Sequence, residues 1–402
     1  MWVFYFFASL LVLQSAISLW GGVRYLSYIR RETTKNKPDF KPYASVIAPC
    51  RGIDQGLREN LSALFRQNYP AYEIIFVIDN ANDPARAIIE DLRREFETTD
   101  NVSSRVVVAG EASGCGQKVH NLRVAIGHTR PESEVFVFVD SDARPRSSWL
   151  RSLVAPLVDE GMGAATGYRW FIPLKGGFAS RLRAVWNASI ASALGEQSNK
   201  NFCWGGSTAI RRRHFERAQV MDEWRGAASD DFAMMRALRR VRLPIHFVPD
   251  CLIVSHEDCG FRELLEFTTR QLKITRVYAT HFWQIVLMSN LLFVLVFFGG
   301  LGLVITRAAL KLSFAWPLAF ILAIYLLGTM KAYLRWCAVG LPLAPYRLEL
   351  RRDALAHLFS WPLVSALYLY NALAALFSRR IQWRGITYEL KSPKETVIIK
   401  TV

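Results

Sequence analysis

Acidic residues are in short supply in this chain: 34 Asp and Glu stand against 50 Lys and Arg, a formal charge of +16. Cysteine is scarce too, six in 402 residues with no Cys-x-x-Cys pair. That argues against a cysteine-held metal cluster and, in a cytoplasmic domain, for reduced thiols. No Gly-x-Gly-x-x-Gly follows the first expected strand, and no Gly-x-x-x-x-Gly-Lys-Ser/Thr is present. The usual sequence support for a dinucleotide oxidoreductase or a P-loop enzyme is therefore missing. The basic surplus flanks apolar runs and forms no aromatic-interleaved basic platform. Attraction to anionic lipid headgroups explains it more simply than nucleic-acid binding.

Charge is absent altogether from residues 4–20, which are almost wholly apolar and precede Arg24, Arg30, Arg31, Lys35 and Lys37. A run of about 20 such residues spans a bilayer. The amino end lacks a basic n-region and a small-x-small site before the arginines, so an anchor is expected and not a cleaved signal peptide. Three more apolar stretches lie at 282–306, 314–333 and roughly 355–377, with nothing comparable between 37 and 281. The expected plan is an anchor at 1–23, a soluble block at 40–262, an amphipathic helix at 263–281, membrane helices at 282–378 and a basic tail at 379–402. Positive-inside reasoning puts the soluble block, the basic 331–352 loop and the tail in the cytoplasm. Three full crossings after the block would place the tail outside. One segment is therefore expected to be re-entrant or interfacial, and Trp361-Pro362 points first to the last of them.

In the soluble block, Ala44 to Pro49, Glu73 to Asp79 and Val135 to Val139 read as buried strands, and Arg105 to Val108 as a strand. Helical spacing fills 57–67, 85–96 and 118–127 between them. Strands alternating with helices imply a parallel, doubly wound sheet. Ligands of such sheets gather at the carboxyl edge, where Asp79, Asp83, Asp140 and Asp142 fall. The pair in Asp140-Ser141-Asp142 carries the most information, because two carboxylates one residue apart behind a buried strand suit a hard divalent cation. Further on, Ser229-Asp230-Asp231-Phe232 opens a helix. This is good capping chemistry, and an acid beside another acid is also a candidate general base. His256, just after the strand Leu252-Ile253-Val254, is a candidate third metal ligand, although a lone histidine there is more often structural.

These residues resemble the inverting nucleotide-sugar glycosyltransferases of GT-A fold, most closely the membrane-bound ceramide glucosyltransferase type, from about residue 45 to 390. Asn68-Tyr69-Pro70-x-Tyr72-Glu73 with Asp79 and Asp83-Pro84-Ala85 is similar to the family's first-aspartate region, which meets the nucleotide base. Gly116-x-Lys118-x-x-Asn121-Leu122 resembles the stretch whose lysine lies near ribose and diphosphate. Asp140-Ser141-Asp142 resembles the metal–diphosphate motif. Gly205-Gly206-Ser207-Thr208 is similar to the loop lining the acceptor side, and Asp230-Asp231-Phe232 to the motif whose second acid, here Asp231, is the base. Trp383-Arg384-Gly385 with Tyr388 resembles a short motif of the family's tail. One signature departs: Gln/Arg-x-x-Arg-Trp reads Arg270-Gln271-Leu272-Lys273-Ile274, so the bidentate arginine and the flat aromatic wall are both replaced.

The resemblance implies an α/β fold: a GT-A (Rossmann-like) cytoplasmic domain with an N-terminal transmembrane helix and a C-terminal membrane helix bundle. It also implies transfer of one hexose from a UDP-sugar, UDP-glucose first, to a membrane lipid such as ceramide. Mn2+ or Mg2+ would sit on Asp142 and Asp140, with Lys118, Arg270, Lys273 and Arg276 adding positive charge. A bacterial inner membrane or an endomembrane would be the location. A processive polysaccharide synthase and a catalytically silent nucleotide-sugar- or lipid-binding protein are the alternatives. Ile274 speaks against the first, and the joint presence of Asp79, Asp140, Asp142 and Asp231 against the second.

Overall fold

The structure is a computed structural model describing residues 1–401. A long helix α1 (Trp2–Thr34) precedes β1 (Ala44–Pro49), α2 (Leu57–Phe65), β2 (Tyr72–Ile78), α3 (Ala85–Glu95), β3 (Val102–Val108), α4 (Gln117–Ile126) and β4 (Val135–Phe138). Then come α5 (Trp149–Val154), β5 (Ala164–Ile172), α6 (Phe178–Ala191), β6 (Thr208–Arg211), α7 (Arg212–Arg217), α8 (Val220–Glu223), α9 (Asp230–Arg240) and β7 (Ile245–His256). The chain closes with α10 (Phe261–Tyr278), α11 (Thr280–Ala309), α12 (Ala315–Val339), α13 (Arg347–Phe359), α14 (Trp361–Phe377), β8 (Arg380–Trp383), β9 (Ile386–Ser392) and β10 (Glu395–Thr401). It divides into two compact units.

The first, a sheet unit, comprises Glu32–Ile172, Ala193–Glu257 and Arg379–Val402. Its seven strands run in the order β3-β2-β1-β4-β6-β5-β7. β1, β2, β3 and β4 are parallel, and β1, β2 and β4 are the near-continuous buried runs typical of a parallel sheet covered on both faces. The expected all-parallel sheet is nonetheless mixed, because β6 lies antiparallel to β4 and to β5. The chain between β5 and β6 runs through α6, which belongs to the helical unit, so β5 and β6 are not joined by a βαβ crossover, the connection that parallel neighbours need. The core beneath β1, β2 and β4 gathers Val46, Ile74, Phe76, Val137, Leu61, Trp149 and Leu153, all buried.

The tail, expected only as a basic segment, is a three-stranded antiparallel sheet of order β10-β9-β8 within this unit. Arg384 and Gly385 both have positive φ, 45° and 79°, and they join β8 to β9 as a two-residue hairpin whose turn matches the strand twist. The side chain of Arg384 is thus presented from a hairpin tip.

The second, helical unit comprises Met1–Arg31, Pro173–Ser192 and Asp258–Ser378. Three of its helices, α1, α11 and α12, are long and apolar enough to cross a membrane. Ala8 and Leu11 of α1 pack with Phe293 and Phe297 of α11 and Ile321 and Ile324 of α12. The last apolar stretch is a bent pair: 344–359 and 361–377 meet at 70° beside Trp361-Pro362. Helix α10 has the expected amphipathic character. It buries Leu264, Thr268 and Leu272 at four-residue spacing, against a cluster holding Trp186, Trp283 and Leu367.

Candidate active site

The carboxyl ends of β1, β2 and β4 supply the site at the point where the strand order reverses. Asp79 follows β2 directly and accepts from Arg51 Nη1 at 2.6 Å. The Asp83 carboxylate receives the Gly52 amide at 3.0 Å and the Ala85 amide at 2.8 Å, so it ties the loop after β1 to the first residue of α3. These two acids border a cavity of about 650 Å³ whose walls include Arg51, Asn80, Glu111 and Gln117, closed on one side by Ile386 and Thr396 of the tail sheet. Asn121 is placed differently from a ligand-facing group. It is buried and accepts from Gln117 Nε2 at 2.7 Å, while Gln117 holds the loop backbone at Gly110 and Ala112.

Asp140 and Asp142 lie on the loop leaving β4. Lys118, on the first turn of α4, bridges Asp140 at 2.7 Å and Asp230 of α9 at 3.1 Å. Burial works against the ammonium, but Asp140, Asp230 and Asp231 outweigh it and hold Lys118 charged above its ordinary range. Burial likewise works against ionised Asp140, yet Lys118 and Arg169 hold its carboxyl below the usual value. Asp142 and Asp230 go the other way. Burial pushes each up to about 6, against the opposing pull of Arg169 on Asp142 and of Lys118 on Asp230.

Arg169, in the middle of β5, was not singled out by the sequence reading. Its Nη2 reaches both Asp142 oxygens, at 2.8 and 2.9 Å, and Asp140 Oδ2 at 3.6 Å. The signal was available: it is the single charge in the otherwise apolar β5 strand. A second missed group is Asp54. It accepts Ser141 Oγ at 2.6 Å and both its oxygens accept Arg384 Nη2 at 2.8 Å. The hairpin tip of the tail therefore grips the middle residue of the Asp-Ser-Asp loop. The tail makes a further bond in which the Gln117 amide donates to the Tyr388 hydroxyl at 3.2 Å.

Asp230 and Asp231 open α9 behind the Ser229 cap. Asp230 is 6% exposed and committed to Lys118. Asp231 is half-buried, and its Oδ1 accepts the Ser229 hydroxyl and, at 2.7 Å, the Phe232 amide. Gly205 lies flat against this junction: a Cβ there would meet Asp230 Oδ2 at 2.3 Å and Lys118 Nζ at 2.6 Å. Gly206 packs on the Trp204 ring. Ser207 is fully buried and accepts the Trp149 indole N–H at 2.8 Å.

Arg270, Lys273 and Arg276 belong to α10 in the helical unit, whereas all the groups above belong to the sheet unit. Within the helical unit, Arg276 donates to the carbonyls of Ala375 and Leu376, and Lys273 to Ser378 Oγ at 3.4 Å. His256 ends β7 in register with Ile172. Among the described residues no three His, Cys, Asp or Glu side chains converge as a metal site, so His256 does not complete a trio with Asp140 and Asp142. The two aspartates alone still fit a hard cation: they are oxygen donors on one short loop, and the burial penalty of Asp142 exceeds what Arg169 offsets.

A pH dependence follows from the two raised carboxyls. Their folded values of about 6 lie above the ordinary carboxyl value of 3.8. Each therefore contributes stability that is complete below pH 3.8 and lost as pH rises through 6. The swing is about 3 kcal/mol per carboxyl. In ligand-free protein, thermal unfolding between pH 4 and 7 should show this decline, and Asp142→Asn should flatten about half of it. An unchanged profile in that variant would remove the assignment to Asp142.

The sequence model described as glycosyl transferase family 21 matches residues 3–396. A ceramide glucosyltransferase of Candida albicans is 30% identical over 122 residues, 28% of this chain and 22% of that protein. A hyaluronan synthase of Streptococcus pyogenes is 30% identical over 139 residues, 34% of this chain and 32% of that protein. The chain thus spans between about a fifth and a third of the length of these relatives. Among solved structures, a mannosyltransferase from Pyrobaculum calidifontis, in complex with GDP-Man and Mn2+, superposes with a TM-score of 0.50 at 18% identity. The match covers 92% of this chain and 99% of that one. This likeness establishes the GT-A fold.

Proposed function

This chain belongs to glycosyl transferase family 21, and we propose that it transfers a single hexose, from UDP-glucose in the first instance, to the hydroxyl of a membrane lipid such as ceramide. The observation that carries the reading is the junction at Lys118, which joins the Asp140–Asp142 loop to the Asp230–Asp231 turn. A leaving-group side and an acceptor side are thereby tied through one buried cation.

In this reading the cavity at Asp79 and Asp83 takes the nucleoside. Asp140 and Asp142 would hold a divalent cation, which would supply positive charge against that on the departing diphosphate. Lys118 and Arg169 keep those carboxylates in place and add positive charge on the same side. Asp231, with Oδ1 fixed by Ser229 and Phe232, offers Oδ2 to the acceptor hydroxyl. It takes the proton as the oxygen attacks the anomeric carbon and the carbon–diphosphate bond breaks. Attack opposite the leaving group inverts the configuration in one step. Gly205, Gly206 and Ser207 form the floor of the acceptor side.

The catalytic unit faces the cytoplasm in this proposal. The tail strands hydrogen-bond to the rest of the catalytic unit, which supports an even number of crossings between residues 257 and 379 in this reading. Helices α11 and α12 are long and apolar enough to be two of them, and the bent α13–α14 pair would enter and leave on one side.

The test is a transfer assay on detergent-solubilised protein with a panel of labelled UDP-sugars and total membrane lipid. Label should enter one lipid band, vanish with EDTA and return with Mn2+. Label in a polymer would favour a processive synthase, the reading that the hyaluronan synthase match keeps open and that Ile274 opposes. Binding of UDP without transfer or hydrolysis would leave a silent binding protein.

A further inference from the structure

The helical unit contains a buried cation that the proposed reaction does not use. Arg335, in the last turns of α12, is 6% exposed. No hydrogen bond or ion pair joins it to a described residue, and the hydroxyls of Tyr25 and Tyr368 act on it electrostatically. Four residues earlier on the same face is Lys331, whose ammonium donates to Ser18 Oγ at 2.6 Å. The Tyr25 hydroxyl is buried and has no hydrogen-bond partner. The buried acid of this unit, Asp353, is already engaged by Arg181 at 3.0 Å and by Arg352 at 3.3 Å.

Two cations and an unpartnered hydroxyl thus meet between α1 and α12 with no acid among them. The approach is close: a Cβ on Gly22 of α1 would meet Lys331 Cγ at 3.3 Å. Burying an unpaired guanidinium is costly, and the carbonyl end of α12 relieves only part of that cost. An anion with several acceptor oxygens would satisfy all three groups through charge-assisted hydrogen bonds. The surroundings say where it comes from. The two helices are long and apolar enough to cross a membrane, and Trp20, Val23, Leu326 and Met330 expose apolar side chains beside the cluster. Basic pockets between membrane helices of this kind take lipid headgroups.

We propose that Arg335, Lys331 and the Tyr25 hydroxyl bind the phosphate of an anionic membrane phospholipid, whose acyl chains lie along the apolar faces of α1 and α12. The site is separate from the transfer reaction and does not depend on it.

The experiment uses the full-length protein, delipidated in detergent, with native mass spectrometry and thermal unfolding as readouts. The probes are phosphatidylglycerol, phosphatidylcholine of the same chain length, and inorganic phosphate. Wild type should prefer phosphatidylglycerol by about tenfold, and Arg335→Met should abolish that preference. Removing an unpaired buried cation should leave Arg335→Met unfolding no earlier than wild type in lipid-free detergent. Tyr25→Phe keeps the ring and should weaken phosphatidylglycerol binding severalfold by itself, which decides the matter even if Arg335→Met fails to fold. Equal retention of the two lipids, or a preference unchanged in Tyr25→Phe and Arg335→Met, would overturn the site. Stabilisation by inorganic phosphate equal to that by phosphatidylglycerol would overturn a lipid as its source.

Discussion

Asp231→Asn lowers turnover by about 10³- to 10⁴-fold and leaves nucleotide-sugar affinity unchanged. Asparagine keeps the size of the side chain and can still accept the Phe232 amide through its Oδ1, so α9 retains its first turn. What is lost is a group able to receive a proton, and general-base removal costs about 10²- to 10⁴-fold. The upper part of that range applies because the neighbouring acid is no substitute: Asp230 is buried and bound to Lys118. A base acts only in the transition state, so kcat and kcat/KM should fall together. Steady-state kinetics with a labelled donor, beside calorimetric titration of UDP, separates the two. Turnover near wild type would remove Asp231 from the role, and a loss confined to UDP affinity would make it a donor ligand.

Lys118→Met should cost both activity and fold. One ammonium serves Asp140 at 2.7 Å and Asp230 at 3.1 Å, packed against Gly205. Without it, two carboxylates remain buried with too little positive charge, and breaking a buried pair in this way destabilises by about 3–5 kcal/mol. Turnover should fall about 10²- to 10³-fold, the usual effect of removing one preorganised charge from the leaving-group side. Adding Asp230→Asn to Lys118→Met should recover much of the lost stability, because one orphaned charge disappears with its partner. It should recover none of the activity. Thermal unfolding of the single and double variants measures the coupling, and strictly additive losses would mean that the 3.1 Å contact contributes nothing.

Much of the sheet was legible because its signal is local. Val135-Phe136-Val137-Phe138 can be little other than a buried strand, and the structure has it as β4. The acids behind β2 and β4 follow from the same reading. Reading failed where pairing is non-local. The antiparallel β6 has four residues and no periodicity long enough to reveal its direction. Asn121 sits in a motif, yet its side chain is buried against Gln117 one turn earlier, a local contact that the motif spacing does not reveal. Arg169 and Asp54 lie far along the chain from their partners Asp142 and Arg384, so no spacing rule connects them.

By itself the sequence determined the class of the protein: apolar segments before and after an α/β block along the chain, carboxylates at strand ends, and a family resemblance carried by short motifs. Those properties depend on hydrophobic period and on residues within a turn or two of each other, which a linear string records. Only the tertiary structure decided which charges meet. It set Lys118 between two acids, put Arg169 on Asp142, folded the tail so that Arg384 holds Asp54, and left Arg335 buried without an acid. Coulomb energy depends on distance and on burial, and both are properties of the folded chain.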